Sequence, residues 1–416
     1  MDKIPPNPLL PKGGIKKNYA FPLLLLISVI LGGITGLWAK DQVMPLKPFA
    51  DIFLNLLFTV VVPLIFFSVS ASIGNIDSLG KLGNIMRRMI GVFLFMGVIA
   101  AVYMLIIMAF FPLGSDLSHQ ASGRILFAPT ETISHWGDLL TVSDFPKLFS
   151  RENLLALIIF SAFLGAAVSS LGKKAESLLG FLQEGMAVFM KLTSWVMYYA
   201  PVGFFAYFAI SMAQWGQDLV GVYCRIAAIY YISAFIYFII GFSFFVWLAR
   251  HREGVVIFWK NSLLPTVTAF ATCSSAASLP VNLEAAEKMN IRSEIYTTVI
   301  PLGTMIHKQG SIMGGIVKIV FLFTFFHLPF TDYTSWFMAI GVALLVGTVM
   351  GAIPSGGMLG EMLILSVYGF PKEALMLIAV ISLIIDPPAT LLNTMGNTVA
   401  SLLVDRASVK NISKNR

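Results

Sequence analysis

The residues of this chain best suited to chemistry lie near its C-terminus, within an otherwise apolar stretch. Four polar residues recur there at i, i+4, i+7 and i+11: Asp386, Thr390, Asn393 and Asn397. That spacing places all four on one face of a helix. A carboxylate is costly to bury, so Asp386 is predicted to receive a ligand ammonium group, or else to hold two helices together. For the threonine and asparagines, ligand binding and helix–helix hydrogen bonding are equally open.

Two short tracts of small residues have the composition of turns between helices. The first, TVTAFATCSSAASLP, supplies three hydroxyls: Ser274, Ser275 and Ser278. Hydroxyls and free backbone amides at helix ends suit a carboxylate, although small residues also permit close helix packing. The second, AIPSGG, supplies a tip of four residues: Pro354, Ser355, Gly356 and Gly357. The conformational freedom of glycine suits a mobile gate, with an ordinary turn as the alternative.

Polar and ionisable residues also interrupt two neighbouring apolar segments. His307, Lys308 and Gln309 fall in the middle of one, and Glu361 follows the second turn. A lysine far from a helix end needs a partner, water or loss of its proton, so a Lys308–Glu361 or a Lys308–Asp386 pair is predicted. Imidazole titrates in the right range for His307 to carry a proton, but a packed core histidine is the more common case.

The composition explains why these few charges stand out. Of the 416 residues, 57% are hydrophobic and 12% are charged, and the mean hydropathy is +0.84. That balance excludes a soluble domain, a disordered chain and a nucleic-acid-binding protein, and it indicates a polytopic membrane protein. The length leaves room for about eight helical spans. Cys224 and Cys273 indicate neither a disulfide nor a metal site, and no cofactor is expected.

The apolar segments form regular spans followed by an irregular C-terminal half. The regular spans are predicted at 21–39, 43–74, 82–111, 153–171, 178–212 and 219–249. The remainder forms two similar units, 255–326 and 335–405, each a Ser/Gly/Pro-tipped hairpin followed by a helix with a polar, glycine-broken middle. If each hairpin returns to its own side of the membrane, the units are inverted repeats, which point to a transporter with a central binding site.

The basic residues predict the orientation of these spans. The first 20 residues hold four lysines and no pattern of a cleaved signal peptide. With both termini in the cytoplasm, the other basic clusters also fall on the cytoplasmic side, provided that 255–290 and 335–369 dip in and return. The chain is therefore expected to be a multi-pass protein of the inner, or cytoplasmic, membrane.

Several of these motifs resemble the glutamate transporter homologue family, the dicarboxylate/amino acid:cation symporters. The likeness runs from about Leu46 to Arg406 and includes the last helix and four further motifs: LKPFADIFLNLLFTVVVPLIFFSV, SSAASLPVNLEAAEKMNI, IPLGTMIHKQGS and GAIPSGGM. The resemblance implies an all-α homotrimer, each protomer with eight transmembrane helices and two re-entrant helical hairpins. It also implies an elevator mechanism, in which a transport domain slides across the lipid bilayer against a scaffold.

On that pattern the chain divides into five parts. Residues 1–78 would hold scaffold spans one and two, and 79–111 would be the third span, in the transport domain. Residues 112–215 would contain an external loop and scaffold spans four and five. Residues 216–406 would form the core of the transport domain, and 407–416 a basic cytoplasmic tail.

The resemblance further implies roles for individual residues. Those implied to bind an amino acid substrate are Ser274, Ser275, Ser311, Asp386, Thr390 and Asn393. Asp386 would bind the α-ammonium group, and the two hairpin serines with Asn393 would bind the α-carboxylate. Thr390 and Ser311 would line the pocket, and the tip beginning at Pro354 would be the outer gate.

Departures from the family pattern indicate a different substrate. The family's arginine in the last helix is Ala389 here, and the arginine that some members carry in the first hairpin is Cys273. With neither guanidinium, a side-chain carboxylate lacks its bidentate partner, and a neutral amino acid is favoured. Lys308 could replace the missing cation, so an acidic substrate stays open.

The residues at the family's sodium sites are also replaced. His307 and Gln309 stand where the family has asparagine and aspartate, Lys308 replaces a methionine, and Asn397 replaces the last helix's second aspartate. A hard cation needs several oxygen ligands, so no metal site is expected. Coupling is then predicted to be to protons, through His307, Lys308 or Glu361, or to be absent. Sodium- or proton-coupled glutamate or aspartate uptake is the alternative.

Two other functions compete with a carrier. An intramembrane hydrolase could be built from Ser274, His307 and Asp386, although the chain has no G-x-S-x-G elbow. A channel would need a continuous pore with rings of carbonyls or charges, whereas two opposed hairpins favour occlusion. Saturable, substrate-specific exchange distinguishes a carrier from a channel.

Overall fold

The structure is a computed structural model that describes residues 20–74, 83–113, 140–349 and 357–412. Within these residues the chain forms twelve α-helices and no β-strand. The helices are α1 Ala20–Ala39, α2 Lys47–Gly74, α3 Gly83–Phe110, α4 Leu154–Leu171, α5 Glu176–Ile236, α6 Phe242–Thr272, α7 Leu279–Lys288, α8 Ser293–Ile306, α9 Gln309–Phe325, α10 Tyr333–Val349, α11 Gly357–Tyr368 and α12 Ala374–Ile412. Short 3₁₀ turns and one π turn join some of them: Lys40–Leu46, Phe145–Phe149, Arg151–Asn153, Gly172–Ala175 and Tyr237–Gly241.

The described chain contains six helical stretches that are long and apolar enough to cross a membrane. They are Leu23–Gly74, Ile85–Phe110, Leu154–Gln214, Leu219–Thr272, Ser293–Phe325 and Ala374–Ala407. Two shorter apolar helices lie between the last two stretches, in the positions of the second predicted hairpin. The all-α, multi-pass membrane architecture expected from the composition is therefore confirmed.

One group of helices packs around α5. Helices α1 and α2 run along α5, and α4 packs on α2. The contact between α1 and α5 is close because two glycines on one face of α1 lie against backbone. A Cβ atom at Gly32 would overlap the Phe205 carbonyl oxygen, and one at Gly36 would overlap the Ala209 carbonyl oxygen. Small residues four apart are the usual means of bringing membrane helices this close.

The Gly36→Ala variant is expected to be destabilised, because its methyl group would have to push α1 away from the α5 backbone. Overpacking of this kind costs about 1–3 kcal/mol. The matched control is Gly180→Ala on α5, where a Cβ atom would meet nothing within 4 Å. Thermal unfolding of the purified variants in detergent would show a lower Tm for Gly36→Ala alone. Equal Tm values would contradict the close contact.

A second group of helices surrounds α12. Helices α3, α6, α8, α9 and α11 all contact it, and the residues of α12 from Leu391 to Ser401 are buried throughout. Tyrosines of α5 bind to this group by donating hydrogen bonds to its backbone carbonyls. Tyr207 donates to Glu373 and Tyr223 to Leu377 at the start of α12. Helix α5 thus contacts both groups, with a break at Gly216, whose φ is 60°.

A charged cluster ties three chain segments together at one end of the second group. The Asp405 carboxylate of α12 accepts a hydrogen bond from Arg250 at 2.7 Å and another from Arg292 at 2.7 Å. Arg250 also donates to the carbonyls of Met289 and Asn290, which follow α7. The cluster joins a kink in α6 to the start of α8 and the end of α12, and it holds the first hairpin against the helix that carries Asp386.

Candidate functional site

Asp386 lies where α12 passes through two consecutive prolines. Pro387 and Pro388 have no backbone N–H, so two carbonyls one turn earlier lose their helical donors. The hydroxyl of Tyr231, on α5, donates to one of them, the carbonyl of Ile384, at 3.1 Å. Because a neighbouring side chain satisfies this freed carbonyl, α12 continues as a helix through the prolines. The sequence reading missed Tyr231, since only packing brings it here.

The Asp386 carboxylate has one hydroxyl donor among the described residues. Thr390 Oγ1 donates to Asp386 Oδ1 at 3.1 Å, as the i, i+4 spacing predicts. The Lys308–Asp386 pair stays a prediction. A second lysine, Lys318, is buried in α9. Lys318 was not identified from the sequence, although a lysine within GGIVKIVFLF is a signal of a buried charge.

Asn393 joins α12 to the beginning of α9. Residues 307 and 308 are extended, so the helix starts afresh at Gln309 with unpaired amides. Asn393 Oδ1 accepts hydrogen bonds from the backbone amides of Gly310, at 2.9 Å, and Ser311, at 3.3 Å. Asn393 Nδ2 donates to Ser311 Oγ at 3.2 Å. Asn393 therefore caps the start of α9 in this conformation, and its side chain also binds the Ser311 hydroxyl.

The first hairpin turn begins at Cys273, which ends α6 in the left-handed conformation with φ 48°. The Ser274 hydroxyl accepts a hydrogen bond from the Ala277 amide at 3.2 Å, and the buried Ser278 donates to the Ser274 carbonyl at 3.0 Å. Ser275 is half-buried in the same turn. Asn282, on α7, donates to the Thr394 carbonyl at 3.0 Å, so the hairpin packs on the helix that carries Asp386.

The residues at the predicted coupling positions hydrogen-bond to one another and to neighbouring elements. Gln309 Nε2 donates to the Met96 carbonyl at 3.2 Å and to the Tyr237 hydroxyl at 3.3 Å. His307 Nδ1 lies 3.0 Å from Asn397 Oδ1. The buried Gln309 Oε1 atom has no hydrogen-bond partner among the described residues. The absence of a sodium site stays a prediction.

The histidine ring is fixed by stacking as well as by its hydrogen bond. Phe93, on α3, stacks on the His307 ring with centroids 4.3 Å apart and an interplanar angle of 2°. Neither Ser274 nor Asp386 is a hydrogen-bond partner of His307 within the described residues, and its Nε2 atom has none there. The proposed hydrolase triad is therefore not assembled.

Glu361 has a different partner from the one considered above. Its Oε1 atom lies 3.1 Å from Lys318 Nζ and accepts a short hydrogen bond from Ser382. The Lys308–Glu361 pair was therefore wrong: Lys318, which lies on the face of α9 that contacts α11, takes that role. Of the predicted gate residues, only Gly357 is described, as the first residue of α11. Pro354, Ser355 and Gly356 lie outside the described residues.

Comparison with known proteins gives the family. Residues 21–407 match the model of the sodium:dicarboxylate symporter family. The chain is 25% identical to the proton/glutamate-aspartate symporter of Bacillus subtilis, with 94% of this chain and 95% of that protein aligned. It is 24% identical to C4-dicarboxylate transport protein 1 of Mesorhizobium japonicum, with 97% of this chain and 86% of that protein aligned.

A third relative has a different kind of substrate in its name. The chain is 25% identical to neutral amino acid transporter A of Homo sapiens, over 63% of this chain and 49% of that protein. Membrane-spanning helices and the family match agree on a transporter that handles a small molecule in a lipid bilayer. The chain belongs to the sodium:dicarboxylate symporter family, whose members are transporters and not enzymes.

Proposed function

We propose that this protein is a secondary active transporter of small neutral amino acids that works without sodium. The observation that carries the proposal is the Asp386 carboxylate, which accepts a hydrogen bond from Thr390 and pairs with no arginine within the described residues. Asp386 would receive the substrate ammonium group, and Thr390 would orient it. Ala389 and Cys273 occupy the positions where a guanidinium would bind a side-chain carboxylate.

The other end of the substrate has candidate donors in the same region. The first hairpin turn offers Ser274 and Ser275, and Asn393 with Ser311 lies at the start of α9. In the conformation described, Ser274 and Asn393 already accept backbone hydrogen bonds. Binding of an α-carboxylate would therefore use their remaining donors, the Ser274 O–H and the second Asn393 N–H, together with Ser275.

Sodium independence is supported by the hydrogen bonds of Gln309. Its amide group donates to the Met96 carbonyl and the Tyr237 hydroxyl. The neighbouring Asn397 carries an amide and not a carboxylate, and its Oδ1 atom lies within hydrogen-bond distance of His307. Coupling would then be to protons or would be replaced by exchange.

The proposal includes the architecture implied by the family. Eight spans and two hairpins follow if α5 and α6 are each divided at their kinks, at Gly216 and at Arg250 with His251. The group α1, α2, α4 and the first part of α5 would be the scaffold of a homotrimer. The group around α12 would be the elevator, with the tip at 354–357 as its outer gate and both termini in the cytoplasm of the inner membrane.

Acidic substrates form the second candidate function. Lys308 lies at the broken start of α9 and Lys318 is buried within it, and either could compensate for an extra substrate carboxylate. Two of the relatives are named for glutamate and aspartate or for dicarboxylates.

Uptake into proteoliposomes tests both candidates. Purified protein would be reconstituted into liposomes that are loaded with a panel of unlabelled amino acids. Entry of labelled serine, alanine, aspartate and glutamate would then be measured with and without a sodium gradient. Counterflow of serine or alanine that is unchanged when choline replaces sodium is the expected result. Uptake of aspartate that disappears without sodium would overturn both the substrate and the coupling proposals, whereas sodium-independent aspartate uptake would establish the second candidate.

A further inference from the structure

The deepest charges in the second helix group form a pair that the substrate site does not use. Lys318 Nζ lies 3.1 Å from Glu361 Oε1, and the two side chains are 2% and 0% exposed. Ser382, one helical turn before Asp386, donates to the same Glu361 oxygen. The cluster joins three helices, α9, α11 and α12. Burying an ion pair is rarely favourable for stability alone, so its presence suggests another use.

The second oxygen of this carboxylate is unoccupied by any donor. Glu361 Oε2 is buried and has no hydrogen-bond partner among the described residues. A buried, charged carboxylate oxygen without a donor is costly, and a proton on Oε2 would lessen the cost by removing the negative charge. Oε1 could keep its hydrogen bonds from Lys318 and Ser382 meanwhile. Glu361 thus has one oxygen held by two donors and one oxygen without a donor within the described residues.

Few other charges reach Glu361 from the elements packed against α11. Helices α4 and α10 contact α11 and contain no charged residue or histidine. The 3₁₀ turn Arg151–Asn153 lies at the far end of α11, where the Glu152 carbonyl accepts a hydrogen bond from Ser366. Helix α9 contributes Lys318. Helix α12 contributes Asp386, one helical turn beyond Ser382.

We propose that Glu361 is the residue that binds the coupled proton, and that Lys318 and Ser382 are its positioning residues. This inference rests on the proposed function, because it names the group behind proton coupling. The proton would be taken from water on one side of the membrane, bound at Oε2, and released to the other side. No other bond is formed or broken.

The charge balance gives the physical consequence of protonation. With Glu361 ionised, the charges of Lys318 and Glu361 cancel within the buried pair. When Glu361 is neutral, Lys318 loses its strong attraction to α11, and the cluster carries a net positive charge. The contact between α9 and α11 is therefore weaker in the protonated state, and the state of Glu361 is coupled electrostatically to the substrate site.

Hydrogen exchange tests this inference without any substrate. Amide exchange in α11 would be followed by mass spectrometry over a pH series in lipid nanodiscs, corrected for intrinsic exchange, with α1 as the internal reference. Wild-type α11 is expected to lose protection as the pH falls. Glu361→Gln should show the low-protection state of α11 at every pH. If that single variant folds poorly, the charge-neutral double variant Lys318→Met/Glu361→Gln replaces it, and its α11 protection should not change with pH. Ser382→Ala should shift the pH midpoint and keep the transition.

Transport supplies the second readout. With the membrane voltage clamped at zero, a gradient of one pH unit should drive about tenfold accumulation of labelled serine by a one-proton symporter. Glu361→Gln and the double variant should lose that accumulation and retain serine counterflow. A Glu361→Gln protein that still accumulates serine, or wild-type α11 protection that ignores pH, would overturn the inference. Absence of any wild-type amino acid transport would refute the proposed function instead, and the exchange data would still decide the role of Glu361.

Discussion

Asp386→Asn is expected to bind neutral amino acids at least about 100-fold more weakly than the wild-type protein. An ammonium group in a site shielded from water depends on a carboxylate, and removing one partner of such a pair costs about 3 kcal/mol or more. The isosteric asparagine keeps an oxygen that can accept the hydrogen bond of Thr390, so the helix face keeps its shape. The measurement is calorimetric titration of purified protein with serine, paired with counterflow in proteoliposomes.

The control for this variant lies two turns further along α12. Thr394 is buried, and its Oγ1 atom has no hydrogen-bond partner within the described residues. Thr394→Val therefore removes a polar atom of the same helix without removing an interaction, and it should bind serine like the wild type. If Asp386→Asn binds serine with unchanged affinity while both variants keep the wild-type Tm, Asp386 is a structural residue and the ammonium site lies elsewhere.

Gly310→Ala is expected to abolish transport by separating the two helices that form the site. Gly310 is the second residue of α9. A Cβ atom there would lie 2.5 Å from the Ala389 Cα atom and would overlap the Ala389 carbonyl oxygen. These are backbone atoms, which cannot move aside as a flexible side chain can. The displacement would also break the hydrogen bond from the Gly310 amide to Asn393, which caps α9. Serine counterflow should fall to the background, and the Tm should fall because overpacking costs about 1–3 kcal/mol.

Gly341→Ala is the matched control for that substitution. Gly341 lies within α10, and a Cβ atom there meets nothing within 4 Å. Alanine is also the better helix former, so this variant should transport serine normally and unfold at the same or a slightly higher temperature. Full counterflow activity in Gly310→Ala would show that α9 and α12 are not in contact in the working protein.

Several parts of the site could be read from the sequence because they depend on local periodicity. The Asp386–Thr390 hydrogen bond follows from i, i+4 spacing on one helix, and it is present at 3.1 Å. The break at His307 and Lys308 was visible as HKQGS within an apolar segment, and the chain is extended there. The turn after Cys273 was visible as a run of small residues between two apolar segments.

Other parts could not be read in this way because their partners lie far apart in the chain. Asn393 could equally have bound a ligand or capped a helix, and only the position of α9 gives it the Gly310 and Ser311 amides. The choice between Lys308 and Lys318 as partner of Glu361 depends on which face of α9 meets α11. Neither periodicity nor composition contains that information.

The sequence alone determined the environment, the class of fold and the places where helices break. These follow from hydropathy and from residues such as proline, glycine and serine, whose effects on the backbone are local. Tertiary structure decided how the few buried charges are paired and which carbonyls are satisfied by tyrosines of α5. Those outcomes depend on helix rotation and close approach, as at Gly310 against Ala389, where fractions of an ångström in packing decide which polar atoms meet.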